Sequence, residues 1–177
     1  MSERLPTDEL RAEHEVALRG MGEVVEASAL LRSVSSDKAW EAVGARLGRL
    51  REGLLLHFRK EEEGLFPEVA AMAAQGAPRV DILGQFFGEQ ADDDLTAHAL
   101  LRQRMDEMAA VVVEVVKRRR GGGSEAERLG TLVEATRDLL ERHAGKEDRL
   151  VFPMIERVLS PEQMAAVRER MEAIRRA

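Results

Sequence analysis

The stretch His57-Phe58-Arg59-Lys60-Glu61, running on to Phe66-Pro67, returns as His143-Ala144-Gly145-Lys146-Glu147, running on to Phe152-Pro153. His, Lys, Glu, Phe and Pro stand in the same places. Each copy is preceded by one further histidine, His14 at a separation of 43 residues and His98 at 45, and these four are all the histidines of the chain. An α-helix advances about 100° and ~1.5 Å per residue, so a His and a Glu four apart stack on one face and can grip one ion or an adjacent pair. A lone His-x-x-x-Glu is a weak signal, whereas two of them at matched spacing form a metal-site pattern. Around the single histidines, Met21 and Glu23 match Met105 and Glu107. The offset between halves is 84 to 86 residues, which reads as an internal duplication of a helical hairpin.

Punctuation places these motifs on helices. Thr7 with Asp8 and Glu9 predicts the start of a helix reaching about Leu31, and Ser36 with Asp37 opens a second that carries Trp40 through Glu61. Gly64, Pro67, Gly76, Pro78, Gly84 and Gly88 interrupt residues 64–91, which read as short helical pieces and loop, a long crossover between the halves. A third helix is expected from Asp92-Asp93-Asp94 to the basic run Lys117-Arg118-Arg119-Arg120 before Gly121-Gly122-Gly123. Ser124-x-x-Glu127 is a capping box for a fourth helix reaching about Phe152, and Ser160-Pro161-Glu162-Gln163 caps a short terminal helix.

Apolar stripes decide where the histidines point. The second helix spaces Trp40, Val43, Leu47, Leu50, Leu54, His57 and Glu61 by threes and fours, and the fourth does the same with Leu129, Leu132, Thr136, Leu139, His143, Glu147 and Leu150. The third carries His98, Leu101, Met105, Met108, Val112 and Val115, and the first Leu10, His14, Ala17, Met21, Val24 and Leu31. Such alternation marks the core seam of a helical bundle, so all six candidate ligands are core positions. The lysine before each glutamate falls off the stripe.

Composition bounds the chemistry. At 177 residues, with 44% hydrophobic and 34% charged residues, the chain suits a single all-helical domain over 1–177, its core bundle at about 8–155. No cysteine and no tyrosine are present, so any metal is held by nitrogen and carboxylate oxygen. A net charge of −6 argues against a nucleic-acid partner, and the basic run is explained by a helix C-terminus meeting its dipole. With neither an apolar stretch of ~18–20 residues nor a signal-peptide pattern, a cytoplasmic protein without a membrane partner is expected.

Burying an ionised carboxylate without a partner is very costly, and a salt bridge across the bundle is the usual answer for one such residue. Four helices each delivering one histidine, two of them also a glutamate one turn on, favour a cation instead. Four His and two Glu are too many for a tetrahedral zinc but fit two ions, each with two terminal histidines and a share in both carboxylates. Two divalent ions outweigh two glutamates and a hydroxide by one positive charge, which favours anionic or electron-accepting guests.

The order His14, His57-x-x-x-Glu61, His98, His143-x-x-x-Glu147, with Phe-Pro after each pair, resembles the hemerythrin-like HHE cation-binding domain over roughly residues 8–155. The resemblance implies an all-α antiparallel four-helix bundle around an oxo- or hydroxo-bridged pair of non-haem irons that meets O₂, NO or peroxide. Its terminal ligands would be His14, His57, His98 and His143, and its bridges Glu61 and Glu147. Oxygen-carrying hemerythrins have a His-x-x-x-His pair on the third helix, whereas Asp94 and Arg102 flank His98 at that spacing, so the pattern is nearer to the bacterial branch that includes proteins for repair of iron centres. Ferritin-like sites use Glu-x-x-His, and no His here has Glu three positions before it. Binding or sensing of an oxidant in stress or iron homeostasis is the expected function. Enzymatic turnover of NO or peroxide, and storage or donation of iron, are the alternatives.

Asp94, one turn before His98, is read as a helix-dipole partner, with an outer acceptor or an extra ligand as alternatives. Met21 and Met105 are read as core filler. Gln85-Phe86-Phe87 is read as closing one bundle end, with ligand entry or partner contact as the alternative.

Overall fold

The computed structural model describes residues 4–74, 80–119 and 122–176, apart from the side chains of 73–92, and no strand occurs among the described residues. The fold is an all-helical bundle. Helix α1 spans Pro6–Leu30 and α2 spans Asp37–Arg59, which passes through a π-helical turn, Lys60–Leu65, directly into α3, Phe66–Ala74. Helix α4 spans Val80–Arg118 and α5 spans Gly123–Lys146, which passes through a second π turn, Glu147–Val151, into α6, Phe152–Val158; α7, Pro161–Arg176, follows.

Several ends form as their residues dictate. Ser36 Oγ accepts the Ala39 N–H at 3.2 Å, and Ser160 and Gln163 form a reciprocal box, with N–H to side-chain oxygen distances of 3.3 and 2.9 Å. Two caps differ from expectation. Helix α1 begins at Pro6, so the Leu5 N–H is taken by Asp8 Oδ2 at 2.9 Å, and Thr7 gives its hydroxyl to Glu156 Oε1 at 2.6 Å. Helix α5 begins one residue early, at Gly123, which puts Glu125 rather than Glu127 in position to accept the Gly122 N–H at 3.1 Å. At the end of α4, Arg119 adopts φ 49°, the left-handed turn that closes a helix.

The expected crossover of broken pieces over 64–91 is corrected. Helix α4 starts at Val80 and contains Gly84 and Gly88. Each glycine costs about 1 kcal/mol relative to alanine, too little to end an otherwise favourable helix. The role read for Gln85-Phe86-Phe87 lies outside the described side chains.

The chain divides into two compact units. Residues 15–54 and 99–142 form one, in which the short links after α1 and α4 make successive segments antiparallel. Its interior is the predicted seam: Met21, Val24, Trp40, Val43, Leu47, Met105, Met108 and Leu129 are all buried. Residues 1–14, 55–98 and 143–177 form the other unit, which contains every candidate ligand. Here Leu10, Leu65, Val69, Phe152, Ile155, Val167 and Met171 form an apolar cluster, with α7 laid against the first π turn. That approach requires Gly64, where an added Cβ would stand 2.9 Å from Met171 Cγ.

Both π turns end on a hydrogen bond five residues long, from the Phe66 N–H to the Glu61 carbonyl and from the Phe152 N–H to the Glu147 carbonyl. The proline that follows each Phe has no N–H to give to the preceding turn, and the wider turn accommodates that loss. One extra residue per turn also shifts the stripe. Leu150, expected in the core, is 42% exposed, and Val151 takes its place at 2%. Leu150→Ala should therefore change stability by less than about 0.5 kcal/mol, while Val151→Ala should cost about 1–2 kcal/mol. Urea denaturation of the two variants checks this, and the reverse ranking would restore an uninterrupted α-helical register.

Candidate metal centre

All six predicted residues converge and are buried. Helix α1 brings His14, α2 brings His57, α4 brings His98 and α5 brings His143, while Glu61 and Glu147 come from the two π turns. They form two overlapping groups, His14, His57, Glu61 and Glu147, and His98, His143, Glu61 and Glu147, each with one ligand atom per residue within 4.8 Å of the others. Both glutamates belong to both groups. Glu61 lies 3.4 Å by Oε1 from His57 Nε2 and 3.1 Å by Oε2 from His98 Nε2; Glu147 Oε2 lies 3.1 Å from His14 Nε2 and 3.3 Å from His143 Nε2. The Nε2 atoms of His98 and His143 stand 3.1 Å apart.

The contact between His98 and His143 has hydrogen-bond geometry, but most of this proximity is not hydrogen bonding. All four oxygens of Glu61 and Glu147, and Nε2 of His14 and His57, are buried without a hydrogen-bond partner. Such groups each cost about 1–3 kcal/mol when left unsatisfied, and more when charged. Nitrogen and oxygen lone pairs aimed at shared points rather than at N–H groups suit cations, so the donor set fits a metal pair.

The outward ring nitrogens are held by carboxylates. Nδ1 of His14 donates to Asp148 Oδ1 at 2.8 Å, that of His57 to Glu13 Oε2 at 3.1 Å and that of His98 to Glu62 Oε1 at 2.7 Å. This fixes the tautomer and turns each Nε2 lone pair inward. Phenylalanines fix the ring planes. Phe66 stacks on His98 at 6.4 Å and 11°, and Phe152 on His14 at 5.7 Å and 10°, so each Phe-Pro repeat braces the single histidine of the other half. Phe58 stacks on His98 from closer, at 4.1 Å.

Two readings of the flanking residues are corrected. Lys60 does not lie off the core face but is 1% exposed, with Nζ bonded to Glu13 Oε1 and, at 2.7 Å, to Glu9 Oε1. Asp94 is not a helix-dipole partner, because α4 begins at Val80; it is 1% exposed and pairs with Lys146 Nζ at 2.5 Å. Glu13, Glu62 and Asp148 join the site from positions that the apolar stripes do not mark. The signal for two of them was present, because the duplication continues past the glutamates to an acid at 62 and 148, and a histidine ligand needs an acceptor for its second nitrogen.

Without cations the cluster shares protons. Burial disfavours the charged His14 ring, yet Asp148 and Glu147 outweigh it and raise the pKa to about 9. Burial is likewise outweighed at His57, where Glu61 and Glu13 raise it to about 10. At His143 burial prevails over the Glu61 charge, with repulsion from His98, His14 and His57, and lowers the value to about 3. Burial and the Glu61 charge push Glu147 up to about 8, whereas His57 and His98 hold Glu61 well below the ordinary range despite its burial. The carboxylates draw protons onto the surrounding histidines, and metal cations would take the place of those protons.

Among the described residues, no helix is long and apolar enough to cross a membrane. No curated protein matches the chain. The family model of the hemerythrin HHE cation binding domain matches residues 5–86, the stretch that holds His14, His57 and Glu61.

Proposed function

We propose that the chain holds a pair of non-haem iron ions and uses them to bind or sense a small oxidant, O₂, NO or peroxide, in oxidative or nitrosative stress or in iron homeostasis. The supporting observation is that Glu61 and Glu147 are each common to both four-residue groups, so two ions share two carboxylates and take two histidines apiece. The protein then supplies two imidazole nitrogens and two carboxylate oxygens per ion. Iron favours more ligands than that, which leaves positions for solvent or a guest. When bound, such a pair supplies reversible electron exchange and an open coordination position.

The chain's own residues fit that work. Asp148, Glu13 and Glu62 orient His14, His57 and His98 and strengthen them as donors. Phe58, buried against His98, and Phe152, buried against His14, keep bulk water from the rings. The carboxylates touching the histidines from outside are engaged with a ring nitrogen or a lysine, an arrangement that favours binding over proton-coupled turnover.

Iron-replete protein should carry about two irons per chain by elemental analysis, the ratio for a dinuclear site. A single tightly held zinc with no iron would defeat the proposal. Stopped-flow mixing of the diferrous protein with O₂, NO and H₂O₂ then separates the readings: a reversible spectrum marks binding, repeated turnover an enzyme, and rapid iron loss to a chelator a donor.

Removing the metal should lower the melting temperature, because Glu61 and Glu147 lose the cations that offset their burial. Metal at a hundred times its dissociation constant contributes about 2.7 kcal/mol. Calorimetry with and without chelator measures the difference, and coincident melting points would mean that the carboxylates have other partners.

Glu61→Ala removes a group shared by both ions. The variant should retain at most one iron per chain and show no antiferromagnetically coupled pair by Mössbauer spectroscopy. A coupled pair surviving in Glu61→Ala would show that this carboxylate is not a required bridge.

A further inference from the structure

Lys60 and Lys146 stand at equivalent places in the duplication, each immediately before a candidate bridging glutamate, yet they treat the neighbouring acid differently. Glu13 divides its two oxygens. Oε1 takes Lys60, and Oε2 remains for His57 Nδ1 at 3.1 Å. Asp94 is shorter by one methylene and offers the same oxygen to both neighbours: Oδ1 lies 2.5 Å from Lys146 Nζ and 3.8 Å from His143 Nδ1. The lysine wins. Nδ1 of His143 is buried without a hydrogen-bond partner, whereas the Nδ1 atoms of His14, His57 and His98 each have a carboxylate within 3.1 Å.

We infer that the two cation positions are unequal, the one formed by His98 and His143 with the glutamates being the weaker and exchangeable one, and that Lys146 sets this difference by holding Asp94 away from His143. This rests on the dinuclear reading above. A ligating imidazole that lacks its outer carboxylate is a poorer donor and a less firmly oriented one, and loss of such a partner weakens metal binding about 10- to 100-fold. Both rings of the other position, His14 and His57, have theirs. Lys146 is thus a positioning residue that acts through Asp94, and at 29% side-chain exposure it lies nearer to solvent than Lys60 at 1%.

Cobalt(II) titration of the metal-free full chain, followed by visible absorption and by calorimetry, reads the two positions separately. The wild type should bind two ions in two steps that differ about 10- to 100-fold in affinity. Lys146→Gln releases Asp94 to His143 and should tighten the weaker step about tenfold without moving the tighter one, whereas Lys146→Arg keeps the wild-type pattern. Asp94→Ala should leave both steps within about twofold, because Asp94 does not orient His143, while Asp148→Ala should weaken the tighter step about tenfold. Two ions bound with equal affinity, an unmoved weaker step in Lys146→Gln, or a weaker step lost in Asp94→Ala would each overturn the inference while leaving the dinuclear reading intact. A chain that takes up no cobalt and no iron overturns both.

Discussion

Glu61 and Glu147 are buried side by side with none of their four oxygens hydrogen-bonded, and the rest of the site is organised around that cost. A buried carboxylate survives as an anion only with a nearby positive charge or several hydrogen-bonded N–H donors, and here no N–H is hydrogen-bonded to the four oxygens. Imidazole nitrogens surround the oxygens instead, with a further ring of carboxylates, Glu13, Glu62 and Asp148, behind them. Acids behind the histidines would be a poor way to neutralise Glu61 and Glu147. They are the right way to make histidines hold cations, because each outer carboxylate draws on the ring N–H and enriches the opposite nitrogen. The elevated pKa values of His14 and His57 express the same excess of negative charge, met by protons where no metal is present.

Consecutive residues at each π turn serve one centre. In the wider turn over Lys60–Leu65, Lys60 reaches Glu13, Glu61 reaches the inner cluster and Glu62 reaches His98. The second turn repeats this with Lys146 at its entrance, Glu147 inside and Asp148 on His14. The Phe-Pro that follows each turn supplies both the missing N–H and the ring that stacks on the opposite histidine. Local backbone chemistry and the packing of the ligands are therefore one device.

Legibility in the sequence followed the strength of the periodic signal. The four core stripes and the six inner residues were readable because burial at threes and fours is set by geometry alone. Leu150 was misplaced because a π turn shifts the register without leaving a mark in an apolar pattern, although a proline five or six residues after a buried glutamate was a usable warning. Asp94 was misread because its role depended on where α4 begins, and two interior glycines made the stretch before it resemble a loop. Lys60 was missed since a lysine is expected to reach water, and only the placement of Glu9 and Glu13 on α1 explains its burial. Partners drawn from a distant helix are invisible to periodicity.

Duplication also explains why neither half is a site by itself. His14 takes its outer acid and its stacked ring, Asp148 and Phe152, from the second half, and His98 takes Glu62 and Phe66 from the first. His57 looks to its own half, to Glu13, whereas His143 lies 3.8 Å from Asp94 and has no acid bonded to its Nδ1. Exchange of support across the halves ties the two hairpins together through the very residues that hold the cations, so the free energy of metal binding is also free energy for joining them. The repetition is incomplete around the outer acids: Glu13 stands immediately before His14, where the second half has Ala97 before His98, and the acid nearest His143 is Asp94, four residues before His98. Asp94 therefore meets its lysine and its histidine from a different point on the helix than Glu13 does, and its carboxylate goes to Lys146 while His143 Nδ1 is left without a hydrogen-bond partner.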